Sequence, residues 1–145
     1  MNSPSQDPFH LARFVEAQSS SYADALRELE AGEKRGHWMW FIFPQVAGLG
    51  SSFMAKRYAI GSRQEAAAYL DHPLLGARLL ACVDALLNVE NRSAKQIMGS
   101  PDFMKLQSSI TLFAEISPDE ERFRQLLLKF YAGKKDERTL QFLSR

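Results

Sequence analysis

The chain has 145 residues, a formal net charge of +1, 46% hydrophobic residues and 24% charged residues. This length suits one domain with a full hydrophobic core, and the composition is that of an ordinary soluble globular protein. The near-neutral charge argues against a nucleic-acid partner. No apolar run approaches the about 20 residues that span a bilayer, which argues against a membrane protein. The single cysteine, Cys82, cannot form an intrachain disulfide. Together with an N-terminus that lacks a signal-peptide core, it makes the cytoplasm the expected location.

The N-terminal region is predicted from its composition and its helix-capping residues. Residues 1–7 are rich in Ser, Pro, Asn and Gln, and we expect a disordered lead-in to one helical domain over residues 8–145. Asp7 and Pro8 are typical of a helix N-cap and first helical position. Apolar residues at spacings of three and four then predict a second helix, which Gly32 is placed to end.

An unusually aromatic segment, His37–Gln45, contains both tryptophans of the chain. Its residue types favour a β-strand by local propensity. However, no other segment shows the alternation of a partner strand, and a lone strand leaves its backbone groups unpaired. We therefore predict a short buried helix or an extended core segment, ended by Pro44.

The rest of the chain carries dense helix-capping signals. Ser51 or Ser52 is expected to cap a short helix that runs to Tyr58, and Ser62 with Glu65 has the spacing of a capping box. Broad apolar faces predict two central core helices, of which the first is expected to be the longest in the chain: Pro73–Val89 and Pro118–Ala132. Further starts and stops are predicted at Ser93, Gly99, Ser100–Asp102, Gly133 and Asp136. The pattern indicates an all-α fold, a compact single-domain multihelical bundle.

Five segments of the sequence carry a family resemblance: FVEAQ, HWMWFIFPQ, GLGSS, AYLDHPLLGARL and KLQSSITLF. The chain resembles, from about Phe9 to Phe142, an uncharacterised bacterial family of helical domains of unknown function whose members are sometimes labelled calpastatin. The resemblance implies a compact, mainly helical domain and supplies no activity, cofactor or catalytic residue. We reject the calpastatin label, because a calpain inhibitor of that type is a long, disordered polar chain and this sequence can fill a core.

Metal and thiol chemistry have little support in the sequence. The three histidines, His10, His37 and His72, are far apart, and none has a second ligand one helical turn away. We therefore expect no metal site and no cofactor. Cys82 lies on the apolar face of a predicted helix, where a thiol is usually a small buried hydrophobic group rather than a nucleophile.

The aromatic segment leaves two interpretations open for its polar and aromatic side chains. His37 is either a core residue that donates to a backbone carbonyl, or an acid–base group whose pKa the aromatic surroundings tune. Trp38 and Trp40 point roughly 200° apart on a helix, so one can fill the core while the other lines a cleft.

Two neighbouring features complete the candidate site. The turn through Gly48, Gly50 and Ser52, with basic residues one turn later, is either an anion site built on backbone N–H groups or a plain turn with a serine cap. A later helix carries a cluster of polar side chains: Lys105, Ser108, Ser109 and Thr111. Such hydroxyls either bond back to a carbonyl one turn earlier or line a pocket.

Three function classes follow from these observations. The leading hypothesis is a small-molecule-binding protein or enzyme whose ligand is phosphorylated or nucleotide-like. The alternatives are a protein-interaction or regulatory module, and a structural helper without a pocket. Oligomeric state stays open. The hypothesis takes the following as ligand-binding residues: Gln18, Tyr22, His37, Trp38, Trp40, Gln45, Gly48, Gly50, Ser52, Lys105 and Ser109.

Overall fold

Helices make up nearly all the regular secondary structure of residues 6–145, the part of the chain that the computed structural model describes. The ten helices are α1 (Ala12–Ser19), α2 (Tyr22–Glu30), α3 (Met39–Ile42), α4 (Phe53–Arg57), α5 (Arg63–Asp71), α6 (Leu75–Leu87), α7 (Ala94–Met98), α8 (Asp102–Ile116), α9 (Glu121–Tyr131) and α10 (Glu137–Leu143). The predicted all-α single-domain bundle is confirmed. Most of the expected disordered lead-in, residues 1–5, lies outside the described residues.

Four of the ten helices in residues 6–145 begin at a capping side chain that was predicted. The hydroxyls of Ser52 and Ser62 accept hydrogen bonds from backbone N–H groups three residues later, at 3.1 and 3.0 Å. Ser93 forms a full capping box at the start of α7, and Asp136 accepts from the third residue of α10. Capping succeeds as a predictor because donor and acceptor lie within one turn of each other in the sequence.

Three predicted helix starts are two to four residues too early, among them that of α9, which begins at Glu121 and not at Pro118. The left-handed backbone of His10, with φ of 51°, delays α1 to Ala12, and the Asp7 carboxylate accepts instead from the N–H groups of Leu11 and Ala12. Helix α6 begins at Leu75, because the Nδ1 atom of His72 accepts hydrogen bonds from the N–H groups of Leu74 and Leu75. The prediction that the helix from Pro73 is the longest in the chain is also wrong, because α8 has 15 residues and α6 has 13.

Helix α9 packs against both α6 and α8, and these three helices form the centre of the core. Their predicted apolar faces are buried, including Leu79 of α6 and Leu126 of α9. Aromatic rings extend this packing, because the ring of Phe113 lies 5.5 Å from that of Tyr69 and 5.9 Å from that of Phe123. The core therefore joins α5 to the central helices. No helix in residues 6–145 has the length and apolar character that crossing a membrane requires.

The aromatic segment forms a four-residue buried helix, α3, followed by extended backbone. The predicted short helix is confirmed. The extended part also has one backbone partner, because the Ile60 N–H donates to the Gln45 carbonyl at 2.8 Å and the Ile60 carbonyl accepts from the Ala47 N–H at 2.9 Å. This parallel bridge fixes the position of Gln45 relative to the chain that follows α4.

A buried arginine, Arg13, ties α1 to the segment that joins α4 to α5. Its five N–H donors make five hydrogen bonds of 2.7–2.9 Å. The acceptors are the carbonyls of Phe9, His10, Arg57 and Ala59 and the carboxylate of Glu65. The other carboxylate oxygen of Glu65 accepts from the Gly61 N–H, instead of from Ser62 as the capping-box prediction implies. Arg13 therefore anchors the C-terminal end of α4.

Candidate functional site

A cavity of about 420 Å³ opens between the turn before α4 and the first turns of α8 and α10. Its lining residues are Gln45, Leu49, Gly50, Ser51, Ser52, Ala55, Pro101, Met104, Lys105, Gln107, Ser108, Asp136 and Arg138. The structure therefore brings together the predicted turn, Gln45 and the polar start of α8. Four of the predicted ligand-binding residues lie in this lining: Gln45, Gly50, Ser52 and Lys105.

One wall of the cavity is a tight turn that ends in a serine cap. Gly48 adopts a left-handed φ of 94°, a conformation that glycine reaches without strain. Gly50 lies close to α4, because a Cβ atom there would be 2.7 Å from the Cβ of Ala55. Ser52 accepts from the Ala55 N–H. The serine cap is thus confirmed, and anion binding by this turn stays a prediction.

The opposite wall is the polar face of α8, whose hydroxyls bond along their own helix. Ser108 donates to the Met104 carbonyl at 3.3 Å, and Thr111 donates to the Gln107 carbonyl at 2.8 Å. Thr111 also accepts from the Asp136 N–H at 3.0 Å. This bond holds the start of α10 against α8, so that residues of both helices face the same cavity.

Two lysines and one carboxylate connect α8 to the aromatic segment. Asp102 pairs with Lys34 at 2.8 Å, and its other oxygen lies 3.8 Å from the ammonium of Lys105. The Lys34 ammonium lies 4.9 Å from the Trp38 ring centroid, and that of Lys105 lies 5.7 Å from the Trp40 ring centroid. Both distances suit a cation–π contact. Lys105 is thus positioned by Asp102 and Trp40 where it enters the cavity wall.

The charged groups of the cavity wall sum to a positive charge. Lys105 and Arg138 are cationic, and Asp136 is the one carboxylate among the lining residues. Asp136 is already engaged, since it accepts from both the N–H and the hydroxyl of Thr139. Arg138 is exposed and forms no ion pair within residues 6–145. Two cations and one carboxylate leave the wall with a net charge of +1.

Two predicted site residues lie in a separate cluster, in which Gln18 is buried and Tyr22 is half-buried. Gln18 donates to the Phe41 carbonyl at 2.7 Å and to the Tyr69 hydroxyl at 3.1 Å. The guanidinium carbon of Arg78 lies over the ring of Tyr22, 4.6 Å from the ring centroid. Burial raises the pKa of the Tyr69 hydroxyl, so this group stays a neutral donor to the Phe41 carbonyl. The cluster fixes α3 in the core and does not line the cavity.

The start of the aromatic segment is arranged around Glu28. One of its carboxylate oxygens accepts from the N–H groups of Arg35 and Gly36 and from the Trp38 indole. Burial on its own would raise the pKa of Glu28, but these hydrogen bonds lower it below its usual value. Trp38 is buried, whereas His37 is exposed. The core interpretation of His37 is therefore wrong, because the loop that Glu28 holds leaves this side chain on the surface.

The remaining predicted residues also lie outside the cavity lining. Trp40 is half-buried, Gly48 is exposed, and Ser109 is fully buried with no hydrogen-bond partner for its hydroxyl within residues 6–145. Ser108 faces the cavity instead of Ser109, because one residue rotates a helix face by about 100°. Burial raises the pKa of the Cys82 thiol to about 12, as expected for a core cysteine.

Sequence reasoning missed the residues that α10 and the first turn of α8 bring to the cavity. These are Pro101, Met104, Gln107, Asp136 and Arg138, together with Ala55 of α4. The available signal was Asp136, a recognisable helix cap. Its contact with Thr111, 25 residues earlier, depends on tertiary packing and has no local signature.

Comparisons with known proteins agree with this architecture. A family model described as "Protein of unknown function (DUF1810)" matches residues 8–143. The crystal structure of the conserved hypothetical protein Rv1873 from Mycobacterium tuberculosis is similar, with a TM-score of 0.94 and 52% sequence identity. The match covers 96% of this chain and 99% of that chain. No curated protein matches the chain.

Proposed function

Since the chain belongs to the DUF1810 family, whose description gives no function, we propose a function from the cavity itself: this protein binds a small anionic metabolite. One observation carries the proposal. The cavity wall combines two basic side chains, Lys105 and Arg138, with neutral hydrogen-bonding groups that include Gln45 and Ser108. This is the usual composition of a site that fixes a charged ligand in one orientation.

The size and lining of the cavity narrow the class of ligand. Its volume of about 420 Å³ lies within the range of small-molecule sites. Four apolar residues also line the cavity: Leu49, Ala55, Pro101 and Met104. A molecule with a phosphate or carboxylate group and a short apolar part would contact both the polar and the apolar lining residues.

The same lining favours a phosphorylated aliphatic molecule over a nucleotide. Aromatic side chains are absent from the cavity lining within the described residues 6–145. Stacking on an aromatic ring contributes about 1–3 kcal/mol per base in proteins that hold bases in this way. Trp40, which contacts Lys105 from outside the lining, does not supply that surface.

A thermal-shift screen tests the proposal. The panel contains phosphorylated and carboxylated metabolites, with unphosphorylated counterparts as controls. A ligand at 100 times its Kd stabilises the native state by about 2.7 kcal/mol, which raises the Tm of a protein of this size by roughly 5–10 °C.

Substitutions in the wall link any hit to the cavity. Lys105→Gln and Arg138→Gln should each remove the ligand-induced shift. Arg27→Gln should keep it, because Arg27 lies outside the lining and its side chain is 70% exposed in a surface ion pair. The proposal fails if no anion shifts the Tm, or if the shift survives both wall substitutions.

A further inference from the structure

Helix α4 has a second, outward side that differs from its cavity side. Ser52 and Ala55 line the cavity described above. Phe53, Lys56 and Arg57 lie on the exposed side, at positions that share one helix face. Together with His10 and Arg13 these three residues line a shallow concavity of about 490 Å³. We call this group of five residues the Phe53 face.

Phe53 is the unusual residue of this surface. The chain has ten phenylalanines, and the other nine are buried or half-buried. Phe53 is 76% exposed, more than any other large hydrophobic side chain within residues 6–145. Burying a phenyl ring is favourable, and folding of this chain leaves most of the Phe53 ring in contact with water. Its use as an aromatic anchor at the centre of an interface would remove the ring from water.

The charge around Phe53 has a single sign. The Phe53 face contains no acidic residue, and its members other than Phe53 are two arginines, a lysine and a histidine. Lys56 and Arg57 form no ion pair within the described part of the chain. Arg13 adds neither a free donor nor an unpaired charge, because its five N–H groups are all engaged and its guanidinium is paired with the Glu65 carboxylate. The surface is therefore complementary to carboxylates.

We propose that the Phe53 face docks an acidic segment of a partner protein. In this arrangement an apolar side chain of the partner packs on the Phe53 ring, and flanking Asp or Glu residues pair with Lys56 and Arg57. Charge complementarity of this kind selects the partner and speeds its association, and the aromatic anchor supplies affinity.

A protein partner suits this surface better than an anionic membrane or a nucleic acid. Lipid recognition by charge normally uses a cluster of about four to eight basic residues, and the Phe53 face has only two free ones within residues 6–145, Lys56 and Arg57. Nucleic-acid binding normally uses a broad basic surface, and the net charge of the whole chain is +1.

Fluorescence anisotropy with a labelled Asp/Glu-rich peptide that carries one central Leu tests the proposal on the full-length protein. Binding should weaken as the salt concentration rises. Phe53→Ser and Lys56→Glu should each lower the affinity at least about tenfold. A Lys-rich peptide with the same central Leu should not bind. Anionic phospholipid vesicles, used as a second probe, should not bind either.

Two control variants separate the face from general effects of charge and hydrophobicity. Leu128→Ser removes another exposed apolar side chain, which is 54% exposed, and Lys134→Glu reverses an exposed charge elsewhere. Both should bind the acidic peptide as the parent does. Failure of the peptide to bind, equal binding by Phe53→Ser, or binding of vesicles without peptide would each overturn the proposal. The metabolite screen is unaffected by these results, because none of the substituted residues lines the cavity.

Discussion

Arg13→Lys is the substitution that tests the fold most sharply, because it keeps the charge and changes the number of donors. The guanidinium satisfies five acceptors, four of them backbone carbonyls, and is almost fully buried. A lysine ammonium has three donors. At least two acceptors must therefore lose their partner, whichever position the ammonium takes.

The expected cost follows from the bonds that are lost. Hydrogen bonds that involve a charged group contribute about 1.5–3 kcal/mol each, so two lost bonds lower the free energy of unfolding by roughly 3–6 kcal/mol. Native domains are stable by only about 5–15 kcal/mol in total. The Tm should fall by at least about 6 °C for a chain of this length.

Urea unfolding followed by circular dichroism, together with a thermal melt, measures this loss. Arg27→Lys is the matched control, because its exposed pair with Asp24 should contribute under about 1 kcal/mol. In a second comparison, Arg13→Met should be partly rescued by Glu65→Gln, since removing both buried charges costs less than leaving one unpaired. A loss below about 1 kcal/mol for Arg13→Lys would show that the five hydrogen bonds do not anchor α4.

Three further predictions concern the core, the thiol and the pH dependence. Leu79→Ala and Leu126→Ala should each lower the free energy of unfolding by about 2–5 kcal/mol, and losses below about 0.5 kcal/mol in urea titrations would show that these faces are not core. Cys82 should not react with iodoacetamide in the native protein and should react once the protein is unfolded in urea, because burial raises its pKa to about 12; rapid native labelling would contradict its placement. The lowered pKa of Glu28 contributes stability that is present above its ordinary pKa of 4.5 and is lost as the pH falls through the folded-state pKa. Glu28→Gln should therefore lose less stability than the parent between neutral and acidic pH, and identical pH profiles in thermal melts would refute this role.

The accuracy of the sequence predictions depended on the distance between interacting residues. Helix caps such as Ser52 and Asp136 act within three residues, so their pattern is visible in the sequence. The buried faces of α6 and α9 were equally recognisable, because apolar spacing reports directly on which side of a helix meets the core.

Long-range polar contacts left no such pattern. Three acceptors of Arg13 lie 44–52 residues away, and two of these are backbone carbonyls, which every residue type provides. The exposure of His37 follows from hydrogen bonds that Glu28 makes to the loop before the aromatic segment. Only part of the cavity was predicted, because the turn and α8 have local signatures and the approach of α10 does not.

Helix α4 is a partition of only five residues between two concavities on the surface of the protein. Molecules that bind on opposite sides of such a partition influence each other only to the extent that one of them displaces it, and any such effect is equal in both directions. The C-terminal end of the partition is attached to α1 by the Arg13 bond to the Arg57 carbonyl. The stiffness of this attachment therefore limits communication between the two sides, and loosening Arg13 is the change that would raise it.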